Sequence, residues 1–75
     1  MTDGRTSDPL ERSELTPAAG RPARRELAVH GYTTYEHLTT ATVGELLKIH
    51  GVGPKAIRIL GEELAARGLS FRTPD

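Results

Sequence analysis

The chain has no cysteine and no tryptophan, one methionine and one phenylalanine. Without thiols there is neither a disulfide framework nor a thiolate zinc site. Net charge is also missing: 10 Lys+Arg stand against 10 Asp+Glu, so no bulk charge points to an acidic or a basic partner. No apolar run approaches the roughly 20 residues of a membrane span. No apolar signal core follows Met1-Thr2-Asp3-Gly4-Arg5. These absences predict a soluble, cytoplasmic protein without a membrane partner. At 75 residues a deep catalytic pocket is not expected, nor a cofactor, nor a small-molecule substrate. The expectation is a non-enzyme, and a chain this small without staples builds its core most easily from helices.

The zero net charge hides an asymmetry. Residues 1–20 carry two arginines against four acids, whereas residues 21–70 carry seven cations against five acids. The first segment has only Leu10 and Leu15 as large aliphatic residues beyond Met1. It is therefore predicted as a disordered tail over residues 1–19. The folded domain is predicted over residues 20–70, with a short C-terminal tail over 71–75. Five of the domain's seven cations are arginine, the type suited to phosphate recognition.

The domain is written in helix grammar. Pro22 fits the first turn of a helix predicted over residues 22–30, and Gly31 fits its left-handed cap. Thr33 followed by Glu36 matches a capping box for a short second helix through Leu38. Thr42 and Glu45 match another for a third helix through Ile49. Pro54 opens a fourth, with Ile57, Leu60 and Leu64 in one stripe. Arg67 and Gly68 close it, and Leu69 folds back over the cap. The predicted core is Leu27, Tyr32, Leu38, Val43, Leu46, Leu47, Ile49, Val52, Ile57, Leu60, Leu64 and Leu69. The fold class is therefore all-α, a compact bundle of four short helices.

A repeat runs through it. Leu27-Ala28-Val29-His30-Gly31-Tyr32 and Leu47-Lys48-Ile49-His50-Gly51-Val52 align at an offset of 20 residues. Each copy is a helix end, a glycine-apolar turn and a new helix start. The second copy continues as Gly51-Val52-Gly53-Pro54-Lys55, the form of a helix-hairpin-helix loop. Its glycines allow close approach of a ligand to the backbone, and its amide groups point outward. Val52 packs inward. The helix start adds a partial positive charge and Lys55 a full one. A lysine in a first turn opposes the helix dipole, so a docked anion explains it better than helix stability does. A β-branched residue at Gly53 is expected to block that anion and to strain the backbone. The alternative is a tight interhelical turn with no ligand. With Gly51, Val52, Gly53 and Lys55, the candidate site includes Arg21, Arg24 and Arg25 at the first helix start.

Residues 22–69 resemble the C-terminal domain of the bacterial RNA polymerase α subunit, a relative of tandem helix-hairpin-helix modules. The resemblance is carried by Leu27, Gly31-Tyr32, Thr34, Leu38, Glu45-Leu46-Leu47-Lys48, Gly51-Val52-Gly53, Lys55 and Leu64 through Gly68-Leu69-Ser70. It implies a tandem helix-hairpin-helix, or SAM-like, arrangement. It also implies binding to the backbone of double-stranded DNA and contact with transcription regulators or RNA polymerase. Gly53 and Lys55 stand where the family has its loop glycine and its phosphate-contacting lysine. Gly51 stands where the polymerase domain usually has asparagine, and Ala56 replaces a hydroxyl residue. Pro22 and Arg25 occupy the positions of the arginine and asparagine that enter the minor groove. The resemblance thus keeps the phosphate-gripping half and alters the groove-reading half.

Other candidates carry less. His30, His37 and His50 share no metal-ligand spacing, so no metal site is expected. His30 and His50 each precede a cap glycine, where a histidine interacts with the last helix carbonyls. Glu62-Glu63 reads as a solvated face. Tyr35 reads as half-buried packing or, alternatively, a stacking surface for a base. The leading functional expectation is DNA binding through backbone phosphates with little sequence preference. The alternative is a protein-interaction module docking on RNA polymerase or a transcription regulator.

Overall fold

The computed structural model describes residues 9–74, and all regular structure in that range is helical. Four α-helices follow one another: α1 (Arg21–Val29), α2 (Tyr35–Leu38), α3 (Val43–Leu47) and α4 (Pro54–Ala66). Two 3₁₀ turns, Pro9–Arg12 and Pro17–Ala19, precede them.

α4 forms because its apolar residues share one face: Ile57, Leu60 and Leu64 are buried, with Ala56 beside them. Its end is closed by Gly68 at φ +74, with the Gly68 N–H donating to the Ala65 carbonyl and the Leu69 N–H to that of Leu64. This is the paired bonding of a Schellman cap. α1 ends in the same way. The Gly31 N–H donates to Ala28 and the Tyr32 N–H to Leu27, with Gly31 at φ +90. Leu27 and Ala23 bury the inner face of α1.

α2 and α3 have 4 and 5 residues, too few to be stable by propensity alone. Both start in capping boxes. In α3 the box pairs Thr42 with Glu45, as the sequence indicates. In α2 it lies one residue later than expected: Thr34 is the cap, and His37 replaces Glu36 as its partner. The His37 Nδ1 accepts from the Thr33 and Thr34 N–H groups, at 3.1 and 3.3 Å. An imidazole nitrogen thus takes the place of a carboxylate.

The core departs from expectation at its margins. Leu27, Leu38, Leu46, Val52, Ile57, Leu60 and Leu64 are buried, and Tyr32, Ile49 and Leu69 pack partly buried against them. Val43 and Leu47 are exposed, at 38% and 41%, because α3 turns only Leu46 inward. Tyr35 is buried rather than half-buried, with the Arg67 guanidinium 3.9 Å above its ring centre.

Both expected tails differ from the structure where it describes them. Leu15 is only 2% exposed and belongs to the core, as does Ala19. Their segment is tied down by polar bonds. The Glu14 N–H donates to the Thr33 carbonyl at 2.7 Å, and the Thr16 N–H to the Tyr35 hydroxyl at 2.8 Å. At the other end, the Arg72 N–H donates to Ala41, and its guanidinium reaches the Thr40 carbonyl and Glu45. Residues 1–8 and 75 lie outside the described range. Within that range no helix is long and apolar enough to cross a membrane.

Candidate nucleic-acid interface

Two helix starts of this protein carry no side-chain cap, and they meet. α1 begins at Gly20 and α4 at Gly53; neither glycine has a side chain to accept from the first turn. Each helix has a proline among its first two residues, which removes one orphan donor. Other first-turn N–H groups remain without an intrahelical acceptor, namely those of Ala23 in α1 and of Lys55 and Ala56 in α4. The two starts open on one cleft of about 290 Å³, lined by Gly20, Pro22, Ala23, Gly51, Gly53, Lys55 and Ala56 among others. The positive ends of both helix dipoles therefore point toward one place.

A second cleft of about 350 Å³ adjoins it, lined by Arg21, Pro22, Arg25, Glu26, His50 and Gly51. Pro22 and Gly51 belong to both clefts and form the ridge between them. Arg21 and Arg25 are one helical turn apart, so they flank the same side of α1. Lys55 is exposed and forms no ion pair among the described residues.

The ridge depends on Gly51. Its φ is +90, and its N–H sits in a β-turn closed by the Val52 N–H donating to the Ile49 carbonyl at 3.0 Å. A Cβ at this position would lie 3.2 Å from the Glu26 Cγ and 3.6 Å from the Pro22 carbonyl oxygen. Glycine is thus required twice, for its conformation and for the close approach of the loop to α1. Gly53 differs from expectation. It is extended, at φ −114 and ψ 177, and a Cβ there meets nothing within 4 Å. Nothing in the fold demands glycine at residue 53; what its bareness leaves is open space at the α4 start.

Of the residues singled out in the sequence, Gly51, Gly53 and Lys55 share the first cleft, and Arg21 and Arg25 line the second with Gly51. Val52 lines neither. It is a core residue that pins the loop from beneath. Arg24 lines neither cleft, is half-buried, and keeps a buried Nε without a hydrogen-bond partner. His30 and His50 differ from the capping role expected of them: neither ring hydrogen-bonds a helix carbonyl among the described residues. The contribution of Ala18, Ala19 and Gly20 to the first cleft was not legible, because it requires the N-terminal segment to fold back. Among the described residues no group of three or more His, Asp or Glu converges on a metal-sized space.

Comparison with protein-family models, curated proteins and solved structures finds no match.

Proposed function

We propose that this chain is a non-enzymatic DNA-binding domain that grips backbone phosphates where α1 and α4 begin, with little sequence preference. The supporting observation is the convergence of two helix starts without side-chain caps on one cleft, beside the exposed Lys55. Backbone N–H groups and aligned dipoles favour an anion, and lysine adds a full charge. Arg21 and Arg25 extend the basic surface across the Pro22 and Gly51 ridge. This is also the place the polymerase α-subunit resemblance assigns to phosphate contact, and it suits a tandem helix-hairpin-helix arrangement. A bacterial, cytoplasmic and transcription-related setting follows from that resemblance.

A footprint of about three phosphates gives a slope near −2.7 in log affinity against log salt. Raising salt from about 50 to 200 mM then weakens binding roughly 40-fold. Exchanging an A/T-rich duplex for a G/C-rich one changes affinity much less, since phosphate contacts carry no base information. Lys55→Ala lowers affinity and flattens the slope by about 0.9, while the melting temperature stays put. Equal affinity for Lys55→Ala and wild type would remove the cleft from the site.

A second reading rests on a different observation. Val43 and Leu47, four residues apart on α3, form a small exposed apolar face. Such a face suits docking on RNA polymerase or a transcription regulator. Absence of duplex binding even at low salt moves the assignment to this module reading.

A further inference from the structure

We infer that Tyr35 is a positioning residue of the first cleft: its hydroxyl fixes the 3₁₀ turn Pro17–Ala19, which spaces the two open helix starts. The inference rests on the DNA-binding reading above and adds to it a residue that touches no phosphate.

Tyr35 is buried and lines neither cleft. Its ring is held in place. The Arg67 guanidinium stacks 3.9 Å above the ring centre and is itself fixed by the Glu63 carbonyl and carboxylate, at 2.8 and 2.9 Å. The hydroxyl so placed accepts from the Thr16 N–H at 2.8 Å, 19 residues away along the chain. Among the described residues no other hydrogen bond joins residues 16–19 to a distant part of the chain.

One wall of the cleft hangs from that bond. The Thr16 Oγ accepts from the Ala18 N–H at 3.2 Å and caps the turn, and the Gly20 N–H closes it on the Pro17 carbonyl at 2.9 Å. Gly20, at φ +95, ends the turn and begins α1. The turn packs against both α1 and α4, so it is the piece that spaces their starts. Ala18, Ala19 and Gly20 line the same cleft as Gly53, Lys55 and Ala56 of the α4 start. Burial of Leu15 and Ala19 attaches this segment to the core, but apolar burial has no direction. A hydrogen bond to a fixed hydroxyl does. Tyr35 therefore sets the register of the turn, and Leu15 its attachment.

Without the hydroxyl the turn takes up further positions, and a smaller fraction of molecules holds the cleft at binding width. Apparent affinity falls by that fraction. The number of phosphates neutralised is the same, so the salt slope does not change.

The test measures duplex affinity of the whole chain at two salt concentrations for wild type and three variants. Tyr35→Phe keeps the ring and its stacking and removes only the oxygen. Thr16→Val keeps the N–H but removes the Oγ that caps the turn, and so reaches the turn without altering the tyrosine. Thr42→Ala deletes a hydrogen bond of similar size away from both clefts. Tyr35→Phe and Thr16→Val should each bind about two- to fivefold more weakly, the scale of one hydrogen bond, with the slope of wild type. Thr42→Ala should bind as wild type does. Amide exchange in Tyr35→Phe should accelerate at Thr16 and stay slow at Glu14, which is bonded to the Thr33 carbonyl. Circular dichroism of each variant shows that the fold is retained. Unchanged exchange at Thr16, unchanged affinity in Tyr35→Phe or Thr16→Val, a flattened slope, or an equal loss in Thr42→Ala overturns the inference while the DNA reading stands. Failure of wild type to bind duplex in low salt overturns the DNA reading, and this role of Tyr35 with it.

Discussion

The inner helices α2 and α3 begin closed, and the outer helices α1 and α4 begin open. All four face the same problem, N–H groups without intrahelical acceptors. α2 solves it with Thr34 and His37, and α3 with Thr42 and Glu45, each box satisfying both directions. α1 and α4 have glycine in the cap position and no side-chain bond. Length explains half of the contrast. Helices of 4 and 5 residues need their ends tied, whereas 9 and 13 residues with buried stripes hold without a cap. Location supplies the other half, because the two open starts are the two that share a cleft. Stability is secured at one pair of helix starts, and the other pair is left with donors that no side chain caps.

The largest break in this contrast comes from outside the helices. Leu15 anchors the segment that leads into Gly20, and so it holds the α1 side of the cleft. Leu15→Ala should cost about 2–5 kcal/mol, the range for a buried leucine truncated to alanine. The expected fall in melting temperature is upwards of about 8 °C. A fall of only a degree or two would mean that this segment is not part of the folded unit.

Next in size is the ridge. Gly51→Ala places a side chain at φ +90 and against Glu26 and Pro22, and about 1–3 kcal/mol of stability should be lost. Gly53→Ala, two residues away, meets no atoms and no forbidden backbone, and should lose only what alanine gives up to glycine as an N-cap, about 0.5–1 kcal/mol. Chemical denaturation of the pair checks the difference. Equal losses would show that the two glycines serve the fold alike, which the geometry denies. Gly53→Val sharpens the comparison further: duplex affinity drops while the denaturation midpoint falls no more than it does in Gly53→Ala.

These glycines also mark how far the sequence could be read. The α4 stripe and the Thr42 box were legible because each lies within one or two helical turns. The α2 box is displaced by a residue because a carboxylate at Glu36 looks the natural partner, whereas an imidazole nitrogen, that of His37, fills the role beneath Thr34. Leu15 and Arg72 were illegible for a different reason. A lone leucine has no periodicity, and the bond from Arg72 to Glu45 spans 27 residues. The loop from Gly51 to Lys55 announced itself by composition. That it faces the start of α1, and that Arg21 and Arg25 join it while Arg24 does not, depends on how two helices pack. Pattern along the chain carries no such information.

A smaller effect separates the closed starts from the open ones. Thr42→Ala removes the hydroxyl that accepts from the Glu45 N–H at 3.1 Å, and should cost about 1 kcal/mol. Because Thr42 stands in neither cleft, duplex affinity at a temperature where both proteins are folded should not change. A matched loss of affinity would mean that the capped and uncapped halves are coupled, and that the division of labour between them is not real.

The smallest expected effect titrates the α3 box itself. Glu45 accepts from the Thr42 N–H at 2.9 Å and from Arg72 at 3.1 Å. The backbone bond from Thr42 comes first, and the charge and hydrogen bond of Arg72 add to it. Together they hold the carboxyl below its ordinary value of 4.5 against the opposing cost of desolvation. A carboxyl lowered in the folded state binds fewer protons there than in the unfolded chain. Its contribution is therefore complete above its unfolded value and is lost as pH falls through the lowered folded value. The box should be indifferent to pH near neutrality and weaken only on the acid side of 4.5. Glu45 is exposed, so salt should diminish the Arg72 part more than the backbone part. Urea midpoints across the acid range distinguish the partners. Glu45→Gln should remove a portion of the acid limb, and Arg72→Ala should remove less, because the Thr42 bond persists without it. An acid limb in Glu45→Gln that superimposes on wild type would show that the box is held by the threonine hydroxyl alone.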